Sequence, residues 1–228
     1  MREIIFDTET TGLDPATGDR MVEIGCVEMV NRVATGATFH AYYNPERDMP
    51  AEAEKVHGLS ASFLADKPLF KDGAAELLEF VGDAPLVAHN AQFDFGFLNC
   101  ELTLCGLDII GTDRMVDTLA IARRRHPGAK HSLDALCARY GVDRSHRVLH
   151  GALLDAELLA QVYVELMGGR QIGLELAVDN DPQNPVQTTT FAPKIGEYRA
   201  PRPHKASEEE LARHAQFLET LETPLWTS

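Results

Sequence analysis

No run of about 18 apolar residues occurs in the 228-residue chain, so no membrane-spanning helix is expected. The chain also lacks a basic segment followed by an apolar one at its start; Glu3 leads straight into a short strand, and a cytoplasmic protein is expected. Cysteine is scarce. Cys26, Cys100, Cys105 and Cys137 show no C-x-x-C spacing and sit in apolar segments, which favours reduced thiols over a zinc site or disulfides. Positive charge is short too, with 21 Lys and Arg against 35 Asp and Glu and a net charge of −14. That balance argues against tight, non-specific duplex binding by charge alone. It does not exclude a nucleic acid, because acids that ligate divalent cations invert the local field. What is present is ordinary for a globular protein: 44% hydrophobic and 25% charged residues.

The pattern along the chain begins with three β-rich stretches, Glu3–Asp7, Met21–Val30 and Thr38–Tyr43, set between turn signals. Short helical patterns follow at Ala51–His57 and Ser60–Ala65, and a longer one at Asp72–Val81. Next come a short strand, Leu86–Ala88, a polar cap at Asn90 and a helix ending at Gly106. The strand-like "TDRMVDTL" leads into a helix stopped near Pro127. Ser132 caps a helix that Gly141 ends, and "HGALLDAELLAQVYVELMGG" reads as a long amphipathic helix closed by Gly168 and Gly169. Three strands followed by alternating helices and strands predict an α/β domain with a mixed sheet. Residues 177–206 hold five of the twelve prolines without periodicity and read as a linker. Beyond it, Ser207 and Glu210 fit a capping box, and Leu211, Ala215, Leu218 and Leu221 form an apolar stripe ahead of Trp226. A lone helix of three to four turns does not fold stably by itself, so this one is expected to dock on another protein.

The acids carry the chemistry. Asp7 and Glu9, two apart on a strand, project to one face while Thr8 turns away. Carboxylates so close repel unless a proton or a cation lies between them, and oxygen ligands without thiolate favour Mg²⁺ or Mn²⁺. An exposed strand end whose acids simply face water is the alternative. Asp94, one turn into a helix between Phe93 and Phe97, is costly there without a partner, unless it faces solvent and favours the helix dipole. His150 and Asp155 lie five residues apart, roughly 140° on an ideal helix. They converge only if His150 precedes the helix start, which Gly151 permits. Four acids on one strand end and two helices could hold two divalent ions about 3.5–4 Å apart for an in-line phosphodiester attack, with His150 taking a proton.

"DTETTGL", "HNAQFDFGFL" and "HGALLDA" resemble, in order and context, the three motifs of the DEDD superfamily of 3′→5′ exonucleases in its histidine-bearing branch. "HSLDALCARYGVD" and the helix after it are similar to the proofreading subunits of bacterial replicative DNA polymerases. The likeness covers roughly residues 1–170. It implies a ribonuclease H-like fold, a mixed β-sheet flanked by helices, followed by a flexible linker and a C-terminal amphipathic helix. It further implies that Asp7, Glu9, Asp94 and Asp155 bind two Mg²⁺ or Mn²⁺ ions and that His150 is the general base. The reaction would release 5′-mononucleotides from a DNA 3′ end at the replication fork, with Thr10, Leu13, His57, Asn90 and Phe93 as contacts to the terminal nucleotide. For Leu13 and Phe93, core packing is the competing role. The implied organisation is an exonuclease domain over 1–176, a Pro-rich linker over 177–206 and a polymerase-binding tail over 207–228. A sliding-clamp motif is expected at Gln171, Leu174 and Leu176, with "QTTTF" (Gln187 to Phe191) as a second candidate; a plain linker is the competing reading for both. Two rivals stand beside this: a stand-alone exonuclease acting on RNA or short single strands, and an inactive scaffold joining polymerase to clamp.

Overall fold

A computed structural model describes residues 1–145, 147, 149–169 and 205–220. The clamp candidates and Leu221 and Trp226 lie outside the described residues.

The first unit is built on a five-stranded sheet in the order β3-β2-β1-β4-β5. Strands β1 (Arg2–Thr10), β2 (Met21–Val30) and β3 (Val33–Tyr42) form an antiparallel meander, and β4 (Leu86–Ala88) and β5 (Met115–Asp117) add in parallel. This is the mixed sheet expected. Strand β3 starts five residues before the sequence pattern suggests. Its first residues form the exposed edge, where small and polar side chains need no alternation.

Helices α1 (Ala51–His57), α2 (Ala61–Leu64), α3 (Phe70–Val81) and α4 (Ala91–Leu104) are followed by α5 (Thr118–Arg125), α6 (Leu133–Tyr140) and α7 (Ala152–Leu166). They cover both faces of the sheet. Ile4 and Phe6 pack with α3 and α4 on one side, and Ile5, Val27 and Val87 pack with α7 on the other. A third cluster joins α5, α6 and α7. The period of two in β1 therefore decides which acids face which helix: Asp7 and Glu9 share the α7 side with Ile5, and Thr8 shares the α4 side with Phe6.

Two features bring the ends of α4 and α7 to the acids. Strand β4 is only three residues long and leaves β1 unpaired on that flank beyond Ile5, where α4 enters. On the opposite face Gly25 lies across from Asp7, and a methyl carbon there would fall 2.2 Å from the Leu153 nitrogen. Only glycine lets the first turn of α7 approach so closely.

Helix α8 (Glu208–Leu218), described by itself, carries the expected capping box: Ser207 N–H donates to Glu210 at 2.8 Å, and Ser207 Oγ accepts from the Glu210 N–H. None of its residues is buried. All four cysteines are free; Cys26 and Cys137 are buried, while Cys100 and Cys105 are partly exposed. Among the described residues no helix is long and apolar enough to cross a membrane.

Candidate active site

The acids gather at the end of β1. Glu9 is buried within the strand, and Asp7, partly exposed, lies two residues before it. Asp94, in the first turn of α4, is 3% exposed, and Asp155, in the first turn of α7, is buried as well. His150 precedes the Gly151 cap of α7 and is half exposed, so it lies ahead of the helix as the spacing demands. One ligand atom each from Glu9, His150 and Asp155 falls within 4.8 Å of the others.

Neighbours fix these side chains. Thr8 Oγ1 donates to Asp94 Oδ1 at 2.7 Å, so the residue turned away from Asp7 and Glu9 orients the acid arriving from the other face. Asp117, the last residue of β5, accepts from the N–H groups of Asn90, Ala91 and Leu119. It thereby ties the start of α4 to that of α5. Asn90 is the N-cap residue of α4 in a left-handed conformation, but its side chain makes no cap bond. The expected cap is supplied instead by Asp117, whose carboxylate already reaches those amides.

Burial and mutual repulsion raise the carboxyl pKa values. Asp7 is raised well above the ordinary range by burial, then by Asp94, Glu9 and Asp155. Glu9 is pushed up to about 8 by burial and then by Glu23, its partner across β2. Asp94 rises to about 7 through burial, against the Thr8 hydrogen bond that favours its charged form. Buried carboxylates this crowded do not all ionise without added positive charge.

Part of that charge comes from Arg147, which nothing in its local sequence singles out beyond its place three residues before His150. Its guanidinium grips Asp155 at 2.5 and 2.7 Å, reaches Asp134 at 2.9 Å and donates to His150 Nδ1 at 2.8 Å. A guanidinium only donates, so Nδ1 is the accepting nitrogen here. One cation against four acids leaves the cluster short of compensation. Oxygen donors with one imidazole suit a hard divalent ion, and the residues fit such a group.

A cavity of about 550 Å³ opens beside the acids, lined by Glu9, the turn from Thr10 to Leu13, residues of α1 and Phe93. Thr10, Leu13, His57 and Phe93 all border it, whereas Asn90 is not among its walls. Leu13 is 84% exposed, which excludes core packing for it. Phe93 is partly buried and stacks at 4.9 Å on Phe97. His57 is 5% exposed; its Nδ1 accepts from Leu59 N–H at 3.0 Å, and its Nε2 has no hydrogen-bond partner among the described residues. A larger groove, about 770 Å³, lies between β3 and α7 and contains none of the candidate residues.

A strand-end acid pair, an acid from each of two helix starts and an adjacent histidine agree with the matching sequence family. The family described as Exonuclease matches residues 4–163. The chain belongs to the exonuclease family. It is 51% identical to the DNA polymerase III subunit epsilon of Rickettsia conorii, over 96% of this chain and 95% of that one. It is 42% identical to the DNA polymerase III subunit epsilon of Escherichia coli K12, over 97% and 93%. Among solved structures, Exonuclease X in complex with 5′ overhanging duplex DNA superposes with a TM-score of 0.57 at 27% identity, over 72% of this chain and 90% of that one. The nuclease domain of 3′hExo, a DEDDh family member bound to rAMP, superposes at 0.63 with 17% identity, over 73% and 91%, and shares the fold. This exonuclease is a metal-dependent 3′→5′ enzyme, and it stands with the epsilon subunits. Divalent ions are the cofactor class of the family.

Proposed function

We propose that this exonuclease proofreads for a bacterial replicative DNA polymerase at the replication fork, removing the 3′-terminal nucleotide of DNA as a 5′-mononucleotide. The observation that carries the reading is the grouping of Glu9, Asp155 and His150, with Asp94 close enough to Asp7 to raise its carboxyl pKa, beside a cavity that Glu9 lines. The terminal nucleotide enters that cavity, its base against Leu13 and Phe93, with Thr10 and the unpartnered His57 Nε2 as polar contacts. Asn90 stands at the start of α4, outside the cavity walls.

The four carboxylates would hold two ions, Mg²⁺ or Mn²⁺, which would lower the pKa of the attacking water and neutralise charge on the phosphate. His150 takes a proton from the attacking water as its oxygen bonds to phosphorus and the bond from phosphorus to the 3′ oxygen of the preceding nucleotide breaks, that oxygen taking a proton from solvent. Nδ1 is held by Arg147, so proton acceptance there requires that contact to open. Half exposed, His150 can return the proton to solvent.

Residues 1–176 form the exonuclease domain on this reading, 177–206 the linker, and 207–228 the tail that holds the polymerase subunit. Gln171, Leu174 and Leu176 are the clamp contact. Tethering supports the use of an acidic enzyme on DNA, because effective concentration replaces intrinsic affinity. Identity to epsilon subunits over almost the whole chain favours this reading over a stand-alone ribonuclease, and the full set of acids and histidine favours it over an inactive scaffold.

The test is a 3′-mispaired primer offered as DNA and as RNA, with and without chelator. Mononucleotide release from the DNA 3′ end, abolished by chelator, is expected; preferential release from RNA would transfer the assignment to the ribonuclease. Deleting 207–228 is expected to spare release and abolish co-purification with polymerase.

A further inference from the structure

The segment from Arg123 to His131 has no part in the roles above. Arg123, Arg124, Arg125 and Lys130 fall within eight residues, in an acid-free stretch between Thr118 and Asp134, although the protein carries a net charge of −14. A basic last turn complements the helix dipole, and Arg125 serves that kind of purpose locally, donating to the Leu166 carbonyl at 2.8 Å. Arg123 and Lys130 differ from it. Both are exposed, and neither has an acidic partner among the described residues.

Position decides what they face. Helix α5 begins at the same end of the sheet as the carboxylates. Thr118 Oγ1 meets His89 Nδ1 at 2.9 Å and donates to the Ala88 carbonyl at 3.1 Å. Asp117, just before it, holds the start of the helix that carries Asp94. The loop after α5 returns to the same end, because Asp134, in the first turn of α6 and three residues after His131, shares the Arg147 guanidinium with Asp155. Burial lowers the His89 pKa against a hydrogen bond to the His131 backbone that raises it, and the charges of His131 and Arg123 lower it as well. In the sheet order, β5, whose end leads into α5, is the edge strand beyond β4. None of the cavity walls comes from β5, α5 or the loop after it; they come from the end of β1 and the turn after it, from α1 and from Phe93.

A strand whose last nucleotide fills the cavity and whose scissile phosphate meets the carboxylates continues away from the cavity walls. Phosphates there meet an acidic protein and need local cations. We propose that Arg123 and Lys130 form a cationic rim that holds the backbone phosphates of a single strand immediately upstream of the nucleotide being removed. Contacts of this kind position a strand without reading its bases, as an enzyme indifferent to sequence requires.

The inference rests on the exonuclease reading, and two substrates separate its failure from the failure of that reading. One is a single-stranded oligodeoxynucleotide; the other is the p-nitrophenyl ester of thymidine 5′-monophosphate, which has no upstream phosphate. In the full-length chain, the double variant Arg123→Gln, Lys130→Gln is expected to raise KM for the oligonucleotide about tenfold. Its log(kcat/KM) should depend less steeply on log salt, by about 0.7 for each phosphate no longer neutralised. Ester cleavage stays unchanged, and so does oligonucleotide cleavage by Lys71→Gln, which removes a charge across the sheet on α3. An unchanged oligonucleotide KM and salt slope would overturn the rim, and so would equal losses on both substrates. Fluorescence anisotropy of a labelled single strand at low salt without metal reads the rim independently of cleavage. If the parent chain cleaves neither substrate, the exonuclease reading fails, while weaker strand binding by the double variant still supports the rim and equal binding refutes it.

Discussion

Helix α4 carries two buried acids, Glu101 and Asp94, and only the first has a guanidinium bonded to it. Glu101, 2% exposed on α4, takes two hydrogen bonds from Arg20 at 2.8 Å and a third from the Met21 N–H. Two turns earlier on the same helix, Asp94 meets Asp7 and Glu9 with the Thr8 hydroxyl as its side-chain donor. The first arrangement ties the β1–β2 connection to α4. The second is left short of positive charge. On α4, then, the acid at the functional site differs from the structural one by its missing counter-charge rather than by burial.

The largest test of this contrast is Asp7→Ala against Glu101→Ala. Asp7→Ala is expected to cut mononucleotide release about a thousandfold, the loss of about 4 kcal/mol of transition-state stabilisation. Removing a repelled acid should leave the melting temperature of the metal-free chain unchanged or raised, as calorimetry would show. Glu101→Ala strands Arg20 and is expected to cost about 3–5 kcal/mol of stability in urea unfolding. A stable Glu101→Ala protein, or a destabilised Asp7→Ala one, would erase the distinction.

A pH series sharpens it. Glu9 is held at about 8 and Asp94 at about 7, whereas both lose their protons near pH 4 in an unfolded chain. Between those limits the folded chain keeps protons that the unfolded chain has released. Stability of the metal-free protein should thus fall as pH rises from about 4 to about 8, by on the order of a few kcal/mol. Urea midpoints at pH 5.5 and 8.5 measure this, and saturating Mn²⁺ should lift the pH 8.5 midpoint more than the other. The smallest effect expected is at Thr8. Losing a hydrogen bond to a charged group costs about 1.5 kcal/mol, so Thr8→Val should slow release about tenfold while Thr8→Ser restores it. Equal rates for valine and serine would make the hydroxyl irrelevant to Asp94.

Much of the scaffold was readable because its signals are local. The Leu86–Ala88 strand and the Ser132 and Gly141 helix limits follow from neighbouring residues and appear where expected. The start of β3 was not readable, since an exposed edge imposes no hydrophobic period. Asn90 looked like a side-chain cap by residue type, yet Asp117, 27 residues away in sequence, took that role. Arg147 carried no signal of its own; its meaning depends on reaching α6 and α7 at once.

By itself the order of residues determined which acids exist, which of them share a strand face, and that His150 must precede its helix, because these depend on backbone periodicity alone. Only the tertiary structure decided that acids from opposite faces of the sheet meet, through a short β4 on one flank and the bare Cα of Gly25 on the other. It also placed the cavity beside them, walled by α1, the turn after β1 and Phe93. Proximity between distant segments is a property of packing, and no local pattern encodes it.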